Sequence, residues 1–187
     1  MHRRDVVLVS LCVLAVSAGC LGLNGDSGTS TSTPTAAGGT TAHVTDVVDG
    51  DTVDVRLAGG HEDTVRLLGV DTPEVHVEND PAEFEGVPDT AAGRSCLRRY
   101  GERASAFAVD RLADSAVRLR FDAAAGRRGG YDRLLAYVVV DGRSFNAALV
   151  ERGHARLYDS SFRERDRYAE LEREAREAGR GLWSCAA

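Results

Sequence analysis

Lysine is missing from this 187-residue chain, and all 23 of its basic side chains are Arg. Strong cationic contacts must therefore be made by planar guanidinium forks. Cys and His are scarce, at four and five, and none of them cluster at zinc-ligand spacing, which excludes a zinc centre of that kind. The EF-hand loop pattern is absent, and no repeat of solenoid length is present. The apolar run from Val6 to Ala18 is too short to span a bilayer comfortably. The formal net charge is −6, carried by the part after residue 41. That acidity argues against a general nucleic-acid binder with a broad basic face. It leaves room for an enzyme that grips one or two phosphates locally.

Arg3 and Arg4 precede the apolar run, in a pattern that resembles a twin-arginine export signal. The run closes on Ser17-Ala18-Gly19-Cys20, which resembles a lipobox, whose Cys is lipidated and becomes the first residue of the mature chain. Residues 1–20 are expected to be a signal peptide with Cys20 as the lipidation point. An uncleaved N-terminal anchor is the other reading. Residues 21–41 are rich in Gly, Ser, Thr and Ala, and are expected to be a disordered, flexible tether. Residues 42–187 form the expected folded domain. The protein would then sit outside the cell, as a lipoprotein or secreted, touching membrane only through its anchor. Cys12 leaves with the signal, so Cys96 and Cys185 remain as an even pair: a disulfide, or two free thiols. The absence of Lys and the abundance of Asp, Glu, Ala, Val, Gly and Thr resemble the composition of proteins from salt-loving archaea. An acidic protein of a GC-rich bacterium is the alternative. Near 1 M salt the Debye length is only about 3 Å, so direct metal and Arg contacts outweigh long-range steering.

Within the domain, a β-branched run from His43 to Val48 is followed by Asp49-Gly50, a hairpin signal. Val53, Val55 and Leu57 alternate with polar residues as a second strand. Thr64 to Val70 is a third, stopped before Pro73. An acidic loop, Val75 to Ser95, leads into a helix with Leu97, Tyr100, Ala104, Ala108 and Leu112 near helical spacing. Val117–Phe121 and Leu134–Val140 are two further strands. A short helix capped by Ser144 and a last helix from Arg163 to Ala178 complete the chain. Five short strands with a helix between the third and fourth predict a five-stranded OB-fold Greek-key barrel with about three helices.

Three segments carry chemistry: Val48 to Val53, Val65 to Glu74, and Tyr131 to Tyr137. Asp51 lies at a hairpin exit and Asp71 at a strand end, so the two carboxylates can converge at one rim. An oxygen-only donor set suits a hard cation, Ca²⁺ or Mg²⁺. Glu74, on a loop, can hold a water and accept its proton. Arg66 and Arg133 can supply forks for phosphate oxygens. Together these are the parts that phosphodiester hydrolysis needs: a water nucleophile, a base, and positive charge for the transition state.

The pattern Asp49-Gly50-Asp51-Thr52, Arg66 to Glu74, Tyr100 to Ser105, Tyr131 to Tyr137 and Leu182-Trp183 resembles the staphylococcal nuclease family over roughly Ala42 to Ser184. The resemblance implies a single Ca²⁺ site made by Asp51, Asp71 and the carbonyl of Thr72, with Mg²⁺ the poorer substitute. It implies Glu74 as general base or water organiser, Arg66 and Arg133 on the scissile phosphate, and Tyr131 by a terminal phosphate or sugar. Tyr158 is the one candidate for a second substrate-side tyrosine. The implied partners are DNA and RNA, cut to 3′-phosphates and 5′-hydroxyls by a monomer. Asp132 and Gly130 depart from the family pattern, standing where it has Gly and Lys. A non-catalytic nucleic-acid or protein-binding module of the same fold is the competing reading. Singly, Asp51 could flank a hairpin, Asp71 could cap a turn and Glu74 could be a solvated loop carboxylate; their joint order favours the enzyme.

Overall fold

The computed structural model describes residues 39–186. The expected signal segment, Cys20 and most of the expected tether lie outside them. The first strand, β1 (Thr40–Val47), starts two residues inside that tether, because Thr40 and Thr41 pair with Leu119 and Arg118. It forms an antiparallel hairpin with β2 (Thr52–Leu57), which pairs in turn with β3 (Glu62–Leu67). The long helix α1 (Ala91–Leu112) then leads to β5 (Ala116–Arg120) and β6 (Leu134–Val140). The β4 segment (Val70–Asp71) lies between β3 and α1.

Strands β2, β1, β5 and β6 follow β3 in the sheet order, and β3 returns to pair in parallel with β6, Val65 opposite Leu134 and Leu67 opposite Ala136. The sheet is thus a closed five-stranded mixed barrel, the OB-fold architecture. Closure removes the free edges that an open sheet of this size would expose. Val44, Val53, Val55, Val65, Leu67, Leu119, Ala136 and Val138 are all buried, the inward set that strand alternation predicts.

Three short elements were not legible as separate strands. The third strand does not run on to Val70. It stops at Leu67, and Gly69 takes a left-handed turn (φ 77°), against which the Phe162 ring packs so closely that a Cβ would come within 2.4 Å of it. Beyond that turn β4 pairs with β8 (Arg156–Leu157). A two-residue strand, β7 (Arg143–Ser144), extends the sheet beside β6 and runs into α2 (Phe145–Glu151), capped by the Ser144 hydroxyl. The last helix, α3, spans Arg165–Glu177.

Helix α1 begins at Ala91, earlier than its apolar spacing suggested, because the Thr90 hydroxyl accepts from the Gly93 amide at 3.1 Å. The acidic loop before it contributes to packing. Phe84 and Val87 join Leu97, Ala175, Leu182 and Trp183 in a satellite core under the chain end. Cys96 and Cys185 are disulfide-bonded beside it. Linking residues 89 apart, this bond contributes about 4–5 kcal/mol in the chain-entropy account.

Two buried polar side chains hold the barrel to what surrounds it. Asn146 donates to the carbonyls of Leu68 and Ala136 and accepts from the Val138 amide, tying α2 to β6 and to the bend after β3. Asp122 accepts from the Tyr137 hydroxyl at 2.6 Å and from the amides of Ala124 and Arg163. Burial pushes the Asp122 carboxyl up, but these donors, with the Arg163 charge, more than offset it and hold it below the ordinary value. Its contribution is therefore complete above the ordinary carboxylate pKa and is lost as pH falls through the lowered one. Asp122→Ala should cost about 1–3 kcal/mol, because it leaves the Tyr137 hydroxyl buried without a partner. Asp122→Asn should flatten the acid limb of a stability–pH curve measured by thermal melting. An unchanged melting temperature for Asp122→Ala and an unchanged acid limb for Asp122→Asn would contradict this role.

Candidate active site

The site lies where β2 and β3 leave the barrel. Asp51 is fully buried, just ahead of β2. Its backbone amide donates to Asp49 Oδ1 at 3.0 Å, and its carbonyl accepts from the Leu67 amide at 2.8 Å. A buried carboxylate is tolerated only when its lone pairs are filled, and here they are. Oδ2 accepts from the Thr72 amide at 2.7 Å and the Thr72 hydroxyl at 3.1 Å. Oδ1 accepts from the Thr52 hydroxyl at 3.2 Å and from Arg66 Nη1.

Arg66, on β3, spans two carboxylates. Its second terminal nitrogen donates to Asp71 Oδ1. Asp71 lies on β4, and its other oxygen takes Arg156 Nη2 at 2.8 Å. Arg156 is on β8, so the β4–β8 pairing brings it there, and it also reaches Glu83 at 3.6 Å. The result is a chain of alternating charge: Asp51, Arg66, Asp71, Arg156, Glu83. Sequence reasoning did not single out Arg156. Only a strand pairing over more than eighty residues, behind the Gly69 turn, puts it beside Asp71.

Helix α1 backs this rim. Gly101 lies so close to the Pro73 carbonyl that a Cβ would come within 2.3 Å of that oxygen. The helix therefore seats the segment carrying Asp71, Thr72 and Glu74 by backbone contact. Beyond Pro73, the Glu74 side chain is exposed while its backbone is clamped: its amide donates to Asn79 Oδ1 at 2.7 Å and its carbonyl accepts from Asn79 Nδ2 at 2.9 Å. Asn79 is buried, another residue that the sequence did not mark. Partial withdrawal from water pushes the Glu74 carboxyl up. Asp49, Asp71 and Glu83 push the same way, and Arg66 opposes them.

Arg133 enters from the loop before β6. Its Nε donates to the Gly130 carbonyl at 3.2 Å, and it has no carboxylate within 4.0 Å among the described residues. A cleft of about 270 Å³ has Arg66, Arg133, Leu135 and Tyr158 in its walls. Tyr158 is half exposed there, its amide bonded to the Gly69 carbonyl. Tyr131 does not line the cleft. It is 94% exposed, with the Arg133 guanidinium 5.5 Å from its ring centre. Arg128 is paired with Asp63 at 2.6 Å, and Asp132 stands 3.6 Å from it.

No group of three or more Asp, Glu, His or Cys gathers at metal-holding distance among the described residues. Asp51 and Asp71 nonetheless come from separate segments and meet on one positive charge, that of Arg66. Two carboxylates with the Thr52 and Thr72 hydroxyls beside them form an all-oxygen set, which fits a hard divalent cation better than a soft one.

A closed OB barrel with an acid pair, a loop carboxylate and two arginines at its rim defines a class of barrel proteins with a charged site at one end of the sheet. The comparisons make this specific. The profile of the staphylococcal nuclease homologues matches residues 64–185. A thermonuclease of Staphylococcus hyicus is 31% identical over 140 residues, 74% of this chain and 72% of its own length. An endonuclease of Bacillus subtilis is 36% identical over 140 residues, 73% of this chain but 58% of its own. An uncharacterized protein of Methanocaldococcus jannaschii is 40% identical over 148 residues, 75% of this chain and 70% of its own. The chain belongs to the staphylococcal nuclease family.

The crowding of carboxylates around Glu74 has a direct readout. In metal-free protein, carbon-13 NMR titration of the Glu74 carboxyl should give a midpoint above the ordinary glutamate value. Asp49→Asn should move that midpoint down by removing a neighbouring negative charge. A midpoint at or below the ordinary value, or one indifferent to Asp49→Asn, would contradict the electrostatics described.

Proposed function

We propose that this protein is an exported, calcium-dependent endonuclease that hydrolyses DNA and RNA with little sequence specificity, leaving 3′-phosphate ends. Membership of a nuclease family supports the reaction class. The observation that carries the reading is that Arg66 and Arg133 line one cleft while Arg66 also touches both Asp51 and Asp71. A bare binding fold has no need of two carboxylates held against the guanidinium that faces its ligand.

Asp51, Asp71 and the Thr72 carbonyl are the residues that would hold Ca²⁺. When bound, the ion supplies positive charge that stabilises the phosphoryl oxygens as they gain charge. Arg66 now occupies both carboxylates, and would turn from them toward the phosphate if they held a cation. Arg133, with no carboxylate competitor among the described residues, is available to a phosphate oxygen from the start. Glu74 accepts the proton of the attacking water as the new P–O bond forms. The bond from phosphorus to the 5′ oxygen breaks, and that oxygen leaves as the alcohol with a proton from solvent, while Glu74 gives the proton it accepted back to solvent. The raised Glu74 pKa makes it a stronger base than a free glutamate. Tyr158, in the cleft wall, is placed for a sugar or base next to the scissile bond. Tyr131, outside the cleft, meets substrate only beyond Arg133.

Export is supported by the twin-arginine and lipobox patterns and by the Cys96–Cys185 bond, which suits an oxidising compartment. The acidic, lysine-free composition suits a salt-rich setting.

Purified protein should cleave plasmid and single-stranded DNA with Ca²⁺ over a range of salt, and should stop with chelator. Glu74→Gln and Arg133→Ala should each lower kcat by about 10²–10³-fold. Binding without cleavage under all these conditions would point to a binding module instead. Mass spectrometry of the mature N-terminus should find a chain that starts at a lipidated Cys20; an intact Met1 would rule the lipoprotein out.

A further inference from the structure

A second cleft opens on the side of the barrel, about 660 Å³ against about 270 Å³ for the catalytic one. Its walls come from β5, β6, β7 and α2, with one side chain or two from α1 and α3. They carry six guanidinium groups, from Arg111, Arg118, Arg120, Arg143, Arg152 and Arg167, and one carboxylate, Glu151. Some of these charges are already answered. Glu164 takes both Arg120 and Arg167, and Asp141 stands 3.9 Å from Arg111. Arg118, Arg143 and Arg152 have no carboxylate within 4.0 Å among the described residues. Arg152 lies over the Phe107 ring, 5.1 Å from its centre, and Phe107 stacks on Phe145. Six cations against three anions is a local excess of positive charge on a chain whose net charge is −6. Such a cluster repels itself unless an anion enters it; the ring under Arg152 and the packing of the Arg118 stem against Gly39 engage those side chains but put no negative charge beside them.

The position of the cleft narrows the anion. Across the β5–β6 pair, Arg118 faces Val139 and Arg120 faces Tyr137. Leu135, Tyr137 and Val139 alternate onto one face of β6, and Leu135 lines the catalytic cleft. The arginine cleft therefore meets β6 at Val139, four residues and about 13 Å beyond Leu135 at the edge of the catalytic cleft. A molecule that bridged both would be a long, repeating polyanion.

We propose that the Arg118–Arg143–Arg152 cleft is a second phosphate site, holding the backbone of a single nucleic-acid strand at a distance from the bond being cut. The proposal rests on the nuclease reading for the identity of the strand. Planar forks recognise phosphate oxygens without reading bases, so the site adds retention and no sequence preference. It gives an acidic protein a short, direct grip that works where long-range attraction is screened.

The test uses the full chain carrying Glu74→Gln, with chelator, and follows binding of a long single-stranded oligonucleotide by fluorescence anisotropy. Adding Arg118→Gln, Arg143→Gln and Arg152→Gln together should weaken binding about tenfold or more at low salt. It should also reduce the slope of log affinity against log salt by about 2, from roughly 0.7 per lost phosphate contact. With Glu74 intact, the triple variant should cut a dinucleotide substrate at the parent rate and the long strand with a raised KM. Unchanged affinity and slope in a triple variant that melts like its parent would overturn the proposal. So would arginine-dependent binding of inorganic pyrophosphate without any effect on the long strand, which marks a small-anion site. If the triple variant melts early, Arg143→Gln and Arg152→Gln, both at exposed positions, carry the same test singly. Parent protein that binds the long strand through these arginines but cuts nothing would sink the nuclease reading and leave the strand site standing.

Discussion

The burial of the Asp51 carboxylate is the constraint on which the rest of the site depends. A carboxylate out of contact with water costs several kcal/mol unless donors surround it. Those donors here are Thr52 beside it, Arg66 across the β2–β3 pair, and Thr72 beyond the Gly69 turn. Each lies on a different part of the β2–β4 segment. Satisfying one side chain therefore fixes the hairpin exit, the side chain of β3 that faces the cleft, and the start of the loop that carries Glu74. Gly101 of α1 then closes on the Pro73 carbonyl from behind. The site is closed to solvent at Asp51, partly open at Arg66, Asp71 and Arg133, and exposed at Glu74.

Charge is distributed with the same economy. The acids of this chain mostly meet arginines on the surface, in pairs worth little individually. At the rim that carries Asp51 and Asp71 the pairing is different in kind. Arg66 and Arg156 are mostly buried and each answers two carboxylates. Arg66 in particular is both partner to the acid pair and wall of the cleft, so its two roles compete for one guanidinium. Elsewhere on the barrel, arginines without partners among the described residues gather in one cleft, against the overall sign of the protein.

Periodicity and turn chemistry made much of this legible. Apolar alternation in β2 and β5, the Asp-Gly hairpin and the Ser144 cap act locally, over a few residues, and they predicted the barrel strands and α2 closely. The five residues proposed for catalysis were legible for another reason: they sit in short ordered motifs whose chemistry is recognisable. The start of α1 was not, because its cap, Thr90, lies inside a stretch with no apolar repeat. Nor was the packing role of the acidic loop, since Phe84 and Val87 find their partners at the other end of the chain.

What the sequence determined by itself is the set of groups: two aspartates, a loop glutamate, two arginines, and strands whose alternation dictates a barrel. Tertiary structure decided which of them touch and which further residues serve them. Asn79 clamps Glu74, Arg156 completes the shell of Asp71, and Tyr158 enters the cleft while Tyr131 stays outside it. These choices follow from long-range contacts, the β3–β6 closure and the β4–β8 pairing. A local pattern carries no information about a partner more than eighty residues away. That partner is selected by burial, and burial exists only once the barrel has closed.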